Sequence, residues 1–252
     1  MNEDLIFGRN PVLEAIKTGK PIDRLYILDG AKEGPILSIK REAKAKDLPV
    51  RFVEKKVLDS MTENGAHQGV AARIAGYSYT DVETLLAGAK EKGEDPFLVL
   101  LDGIEDPHNF GAILRTANQA GAHGLIIPKD NACPLTGTVA KVSAGAVNYT
   151  PVARVVNLVR TMEDLKQQGL WFVGADAAGE EMYSLNLTGP IGLVIGAEGK
   201  GLSRLVKEHC DLLARIPMFG QIDSLNASVA AGILSYEIVR NRINKAAGKG
   251  GK

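Results

Sequence analysis

Three polar clusters follow apolar runs in the C-terminal part of the sequence. Phe97–Leu101 leads into Asp102-Gly-Ile-Glu-Asp-Pro-His-Asn109, with Arg115 six residues further on. Ile191–Ile195 leads into Gly196-Ala-Glu198-Gly-Lys-Gly201. Leu212–Ile216 leads into Pro217-Met-Phe-Gly-Gln-Ile-Asp-Ser224-Leu-Asn226, where Ser224 and Asn226 are N-cap candidates for a long helix. The Gly-rich turn is not a phosphate loop, because it has neither GxxxxGK[ST] nor GxGxxG order. A tight turn accounts for its glycines but leaves Glu198, set between two of them, unexplained. The spacing places Arg115 on the second turn of a helix rich in Ala, Gly, Leu and Ile, from which it can point back toward the helix start. None of His67, His108, His123 and His209 has zinc-ligand spacing, so no metal is expected. No GxSxG, HExxH or kinase signature is present.

The elements that must position these clusters follow a strand-then-helix rhythm. Strands are predicted at 97–101, 124–127, 151–155, 171–175, 191–195 and 212–216, and helices at 111–120, 138–144, 156–168, 203–208 and 227–243. Such apolar, β-branched strands are buried on both faces, which predicts an α/β domain with a parallel sheet covered by helices. Ligands of such sheets sit beyond the carboxyl ends of the strands, so the loops after Leu101, Ala175, Ile195 and Ile216 are the ones to inspect. Residues 1–76 predict a separate small α/β sandwich. Its helices start at Asn10-Pro11 and cover 34–46 and 55–61, and its strands lie at 25–28, 50–53 and 69–74. Residues 77–95 carry a short helical pattern through Leu85 and Leu86, then Lys90-Glu-Lys-Gly-Glu-Asp95, and read as a linker to the domain 96–252.

Composition bounds the class. The 252 residues are 45% hydrophobic and 24% charged, which suits a folded chain with a real core and excludes dominant disorder. Thirty Lys and Arg balance thirty Asp and Glu, so a bulk polycation is excluded while local basic patches are not. One such patch is Arg240, Arg242, Lys245, Lys249 and Lys252, with no acid among residues 239–252. The apolar runs are too short to span a bilayer, the start Met1-Asn2-Glu3-Asp4 predicts no secretory signal, and Cys133 and Cys210 form no disulfide framework. A cytoplasmic protein with no membrane partner is expected.

Three segments resemble the signature motifs of the SpoU/TrmH branch of the SPOUT RNA methyltransferases. They are Asn109-Phe-Gly-Ala-Ile-Leu-Arg115-Thr-Ala, Leu193-Val-Ile-Gly-Ala-Glu198-Gly-Lys-Gly-Leu and Ile216-Pro-Met-Phe-Gly-Gln-Ile-Asp-Ser224-Leu-Asn226-Ala-Ser-Val-Ala. Phe7-Gly-Arg-Asn-Pro-Val-Leu-Glu-Ala15 and His67-Gln-Gly69 resemble the substrate-binding domain often fused to that branch, so the resemblance covers nearly the whole chain. It implies a deep trefoil knot in the C-terminal sheet, where sequence reading alone gives an open doubly wound sheet. It implies bound S-adenosylmethionine contacted by Gly196, Ile216, Met218 and Leu225, with Gly174 near the same cleft. It assigns Arg115 to the ribose hydroxyl and its phosphate, with Asn109, Glu198, Ser224 and Asn226 as a polar ring in which Glu198 orients Arg115 or Asn109. Arginine holds its proton, so Arg115 is better suited to stabilising an alkoxide than to acting as a base. Arg9, Asn10 and Arg115 would contact RNA.

The subgroup most resembled is the RlmB type, which methylates the 2′-hydroxyl of a guanosine in 23S rRNA. The branch also implies a homodimer through the C-terminal domain, and the apolar surface of helix 227–243, wider than the ~100° stripe one core needs, points to the same interface, with Ala231 and Ile238 as positions expected to face the partner. Methylation of tRNA or of a resistance-type rRNA site, and a non-catalytic ribosome-assembly factor, are the alternatives.

Overall fold

The computed structural model describes residues 5–32, 34–74, 76–221 and 224–248. The acidic start 1–4 and the basic positions Lys249 and Lys252 lie outside them. The chain divides into two compact units: residues up to Ser78 with Pro134–Thr136, and Tyr79–Cys133 with Gly137 onward.

The first unit runs β1 (Leu5–Phe7), α1 (Arg9–Lys17), β2 (Ile22–Leu28), α2 (Gly34–Ala45), β3 (Val50–Val53), α3 (Lys55–Met61) and β4 (Val70–Ile74). Its sheet has the order β1-β4-β2-β3, with β2 and β3 parallel and the other pairs antiparallel. Strand β1 was not expected, because three residues beside the chain start carry no readable alternation. Apolar faces of α1 and α2 (Val12, Ile16, Ile36, Ile39) bury against Leu25, Ile27 and Val70 of the sheet, the layered sandwich expected from the sequence.

The second unit opens with α4 (Val82–Glu91), followed by β5 (Phe97–Asp102), α5 (Pro107–Gln119), β6 (Gly124–Pro128), α6 (Gly137–Val142), β7 (Val152–Val155) and α7 (Leu158–Gln167). It continues with β8 (Trp171–Glu181), β9 (Ile191–Gly196), α8 (Arg204–Glu208), β10 (Leu212–Arg215) and α9 (Ala227–Ala246). All six strands are parallel, in the order β10-β8-β9-β5-β6-β7. Five consecutive buried residues in β5, Phe97–Leu101, mark a strand covered on both faces. Among the described residues no helix is long and apolar enough to cross a membrane.

Two sequence expectations need correcting. The stretch 77–95 is not a free linker. Asp81 caps α4 by accepting the Thr84 N–H at 2.7 Å, and Thr80 bridges to Ala153. Leu85 is fully buried in the core of the second unit, close enough to Gly124 that a Cβ there would lie 2.5 Å from it. From residue 79 the segment therefore packs as part of the second unit. Helix α5 also begins four residues earlier than its apolar pattern suggests. Asp106 accepts the His108 N–H at 3.1 Å with Pro107 in the first turn, and this cap brings Asn109 inside the helix.

Candidate functional site

The irregular middle of β8, the loops after β9 and β10 and the first turns of α9 line a cleft of about 430 Å³ within the second unit. Each wall has a local cause. Strand β8 pairs with β10 at Gly174–Leu213, and the partner then jumps to Glu180 opposite Ala214. Residues 175–179 are thereby looped out, which puts Ala175, Asp176 and Ala177 on the cleft wall. After β9, Ala197 and Gly201 exchange backbone hydrogen bonds at 3.1 and 2.8 Å, closing a tight turn with Glu198 at its tip. A Cβ on Gly196 would stand 2.1 Å from the Gly201 carbonyl carbon, so only glycine lets the strand end cross the returning loop. Asp102, opposite Gly196 in the register, accepts the Ser203 N–H through Oδ2 at 2.6 Å and ties down the far end of that loop.

Three of the expected polar residues meet at the cleft. Asn226 caps α9: its Oδ1 accepts from the Ser228 N–H at 2.9 Å and from the Ser228 hydroxyl at 2.6 Å. That cap fixes the orientation of the amide, so its Nδ2 donates to Asn109 Oδ1 at 2.9 Å and to Glu198 Oε2 at 3.3 Å. Asn109, 8% exposed, donates its own Nδ2 to Glu198 Oε2 at 3.2 Å. Helices α5 and α9 pack side by side, and the carboxylate of Glu198 joins the two asparagines at their starts. Of the two partners expected for Glu198, Arg115 or Asn109, it is Asn109 that hydrogen-bonds to it. Cap and network roles coexist in Asn226.

Arg115 does not join this network. It lies exposed on α5 and makes no hydrogen bond or ion pair among the described residues. Ser224 lines the cleft but also stands outside the network, correcting the four-membered ring expected from the sequence. Gly196, Ile216, Met218 and Leu225 all line the cleft. Gly174 does not: a Cβ there would press on Leu202, Cys210 and Leu213 at 2.7 to 3.0 Å, so its role is close packing beneath the wall. In the first unit, the Arg9 side chain is anchored by Nε donating to the Gln68 carbonyl at 3.1 Å, while Asn10 is exposed on the first turn of α1.

Sequence reading missed Asp176 and Asp102. Asp176 directly follows Ala175, where a loop was flagged, but nothing local marks the acid. Burial raises its carboxyl, yet the Lys207 ammonium at 2.7 Å and the Ala178 N–H at 2.9 Å outweigh that and hold it below its ordinary value. Cys210 offers no nucleophile, since burial pushes its thiol up to about 12. Chemically, the cleft joins an apolar slot (Ile195, Ile216, Met218, Leu225, Ala230, Leu234) to the carboxylates Asp176, already paired with Lys207, and Glu198, with Lys200 the one cation of the lining among the described residues. Such a lining suits a ligand with an apolar, flat part and polar groups that meet Glu198 and the loop backbone.

Helix α9 sorts its apolar residues in two. Ala231 and Ile238, expected to face a partner, are 1% and 0% exposed inside the unit. The outward stripe is Val229, Tyr236 and Ile243 at seven-residue spacing, all exposed.

Known proteins resemble this chain in both of its units. Residues 96–236 match the model of the SpoU rRNA Methylase family, and residues 5–80 match that of RNA 2'-O ribose methyltransferase substrate binding. The chain is 47% identical over 241 residues to a Bacillus subtilis protein assigned to the TrmH family of tRNA/rRNA methyltransferases, covering 95% of this chain and 96% of that one. The crystal structure of the SpoU methyltransferase AviRb from Streptomyces viridochromogenes, in complex with the cofactor AdoMet, aligns with a TM-score of 0.60. Its identity is 26%, over 95% of this chain and 90% of that one. An AdoMet-bound rRNA methyltransferase from Sinorhizobium meliloti aligns at 0.57 with 27% identity, over 94% and 86%.

Proposed function

Because the chain belongs to the SpoU rRNA methylase family, we propose that it transfers a methyl group from S-adenosylmethionine to a ribose 2′-hydroxyl, that of a guanosine in 23S rRNA. The observation that carries the reading is the Asn109–Glu198–Asn226 network, whose Glu198 lines the cleft between the middle of β8 and the loops after β9 and β10.

The cleft fits the cofactor. Its apolar slot matches an adenine, and the Glu198 carboxylate and the loop backbone offer partners to the polar parts of the cofactor. Main-chain groups of Gly196, Ile216, Met218 and Leu225 would hold the adenosine, and Glu198 would face its polar parts. Bound there, the cofactor supplies an activated methyl with a good leaving group. The remaining difficulty is the nucleophile, an alcohol scarcely ionised at neutral pH. Arg115, with no partner in its own chain among the described residues, is available to a substrate. Its guanidinium stabilises the developing alkoxide and clamps the adjacent phosphate by its fork. The three-residue network holds the Glu198 loop and the starts of α5 and α9 in fixed register, so that the reacting atoms are aligned.

The same reading makes the enzyme a cytoplasmic homodimer with the trefoil-knotted sheet of its branch. The outward stripe of α9 supports the dimer, since exposed Val229, Tyr236 and Ile243 offer a second copy apolar side chains at seven-residue spacing. The first unit serves RNA binding, with Arg9 and Asn10 among its contacts.

The test is direct. Full-length protein is incubated with methyl-labelled S-adenosylmethionine and unmodified 23S rRNA, and the RNA is digested to nucleosides. Labelled 2′-O-methylguanosine is expected. Label on a base, on tRNA alone, or nowhere would overturn the assignment.

A further inference from the structure

Two segments singled out in the sequence of the first unit, Phe7–Ala15 and His67–Gly69, come together at one pocket far from any residue so far given a catalytic role in sequence. Arg9 and His67–Gly69 line it, and its volume is about 430 Å³, within the roughly 300–1,000 Å³ of small-molecule sites. The floor is apolar, from Leu28, Ala31 and Ile36, and the rim carries Arg9, Lys55 and Asn64.

The rim is held in a fixed form. Gln68 accepts the Arg9 backbone N–H through Oε1 at 3.0 Å and Arg9 Nε through its carbonyl at 3.1 Å, which anchors the guanidinium stem from 59 residues away. His67, 7% exposed, accepts the Gly69 N–H at Nδ1 at 3.0 Å. Its proton therefore sits on Nε2, which donates to Asp59 Oδ1 at 2.9 Å. Asp59 also holds Lys55 Nζ at 3.2 Å. Glu63, Asn64 and Gln68 take left-handed backbone angles, with φ of 52°, 62° and 51°, a conformation non-glycine residues keep only where the surroundings enforce it. The methyl-transfer chemistry assigned to the second unit uses none of this.

We propose that this pocket holds a single unstacked nucleotide of the RNA substrate, its base on the floor of Leu28, Ala31 and Ile36 and its phosphate against Arg9 and Lys55. The inference rests on the reading of RNA as the substrate. Two cations against the one carboxylate of Asp59 leave the lining positive, as an anionic ligand needs. Single-stranded RNA is read from splayed-out bases, commonly stacked on aromatic side chains. Among the described residues the one aromatic ring of the lining is that of His67, 7% exposed and held by Asp59 and the Gly69 N–H, so here the aliphatic floor takes the place of a stacking platform.

The test uses full-length protein and a fluorescein-labelled 12-nucleotide RNA of random sequence carrying one 4-thiouridine. Lys55→Glu reverses a rim charge on an exposed side chain, and Ala31→Leu fills the floor without touching charge. Each is expected to weaken RNA binding at least about fivefold while thermal unfolding and calorimetric S-adenosylmethionine binding stay as in wild type. Photo-crosslinks of wild type are expected within residues 55–69 and lost in Ala31→Leu. Wild-type RNA affinity in both variants, or crosslinks confined to the second unit, would overturn the pocket assignment and leave the RNA reading intact. A wild-type protein that binds S-adenosylmethionine but no RNA would overturn both.

Discussion

Replacing Asn226 with alanine separates the account from a purely structural one. The side chain does two jobs with opposite ends. Oδ1 caps α9 through Ser228, and loss of such a cap costs about 1 kcal/mol, within a range of about 0.5–2. Nδ2 reaches Asn109 Oδ1 at 2.9 Å and, more weakly, Glu198 Oε2 at 3.3 Å. One well-formed net hydrogen bond is worth about 1 kcal/mol, more where the partner is left buried, as Asn109 is. The variant should therefore lose about 2–3 kcal/mol in urea unfolding at fixed protein concentration, and methyl transfer with it. Asn226→Asp keeps the cap but puts a second carboxylate against Glu198, which raises the pKa of the pair. A carboxyl raised in the folded state stabilises below that pKa and not above it. The Asp variant should thus approach wild-type stability in acid and fall behind as pH rises through the raised value, with activity lost at neutral pH. An alanine variant within about 0.5 kcal/mol of wild type, turning over normally, would refute the reasoning, since surface changes alone stay within that band.

Four further outcomes follow from the geometry. Arg115→Ala should abolish methyl transfer while calorimetric S-adenosylmethionine binding stays intact, and Arg115→Lys should be badly impaired because an ammonium cannot form the fork; near-normal turnover by either would remove Arg115 from the site. Tyr236→Glu, on the outward stripe of α9, should sediment as a monomer, whereas Ile238→Glu, buried in the unit, should fail to fold; a wild type that is itself monomeric at micromolar concentration contradicts the dimer. A fragment from residue 79 onward should fold and bind S-adenosylmethionine with rRNA methylation greatly weakened, while one from residue 96 should be poorly soluble because it lacks Leu85 of the core; equal behaviour of the two fragments would contradict the boundary. Burial lowers the pKa of His123, outweighing Glu94 at 3.1 Å, so its folded form stays neutral below the unfolded value of 6.5. Stability is then fully present above pH 6.5 and declines as pH falls through the lowered value, and denaturation curves of His123→Asn should lose that slope.

The sheet was legible because buried parallel strands are written as unbroken apolar runs, as at Phe97–Leu101 and Ile191–Ile195, and the site because ligands gather beyond such strand ends. What escaped was set by tertiary contact. The excursion of β8 that carries Asp176 onto the cleft wall depends on how β10 pairs across it, and nothing in Ala175–Gly179 announces this. Helix α4 looks like a polar tether until Leu85 is seen against Gly124. The apolarity of α9 reads as a single broad face, and only the packed structure separates Ala231 and Ile238, turned inward, from Val229, Tyr236 and Ile243, turned out. Arg115 and Glu198 were both marked by the sequence, but that they stand in separate arrangements depends on the register of three loops.

The central claim is tested most directly by mapping ribose methylation across 23S rRNA in cells that lack this protein and in the same cells given either the wild type or Arg115→Ala. One guanosine should lose its 2′-O-methyl group in the deletion, regain it with the wild type and stay unmodified with the variant. An unchanged 23S map in the deleted cells, or full restoration by Arg115→Ala, would contradict the account.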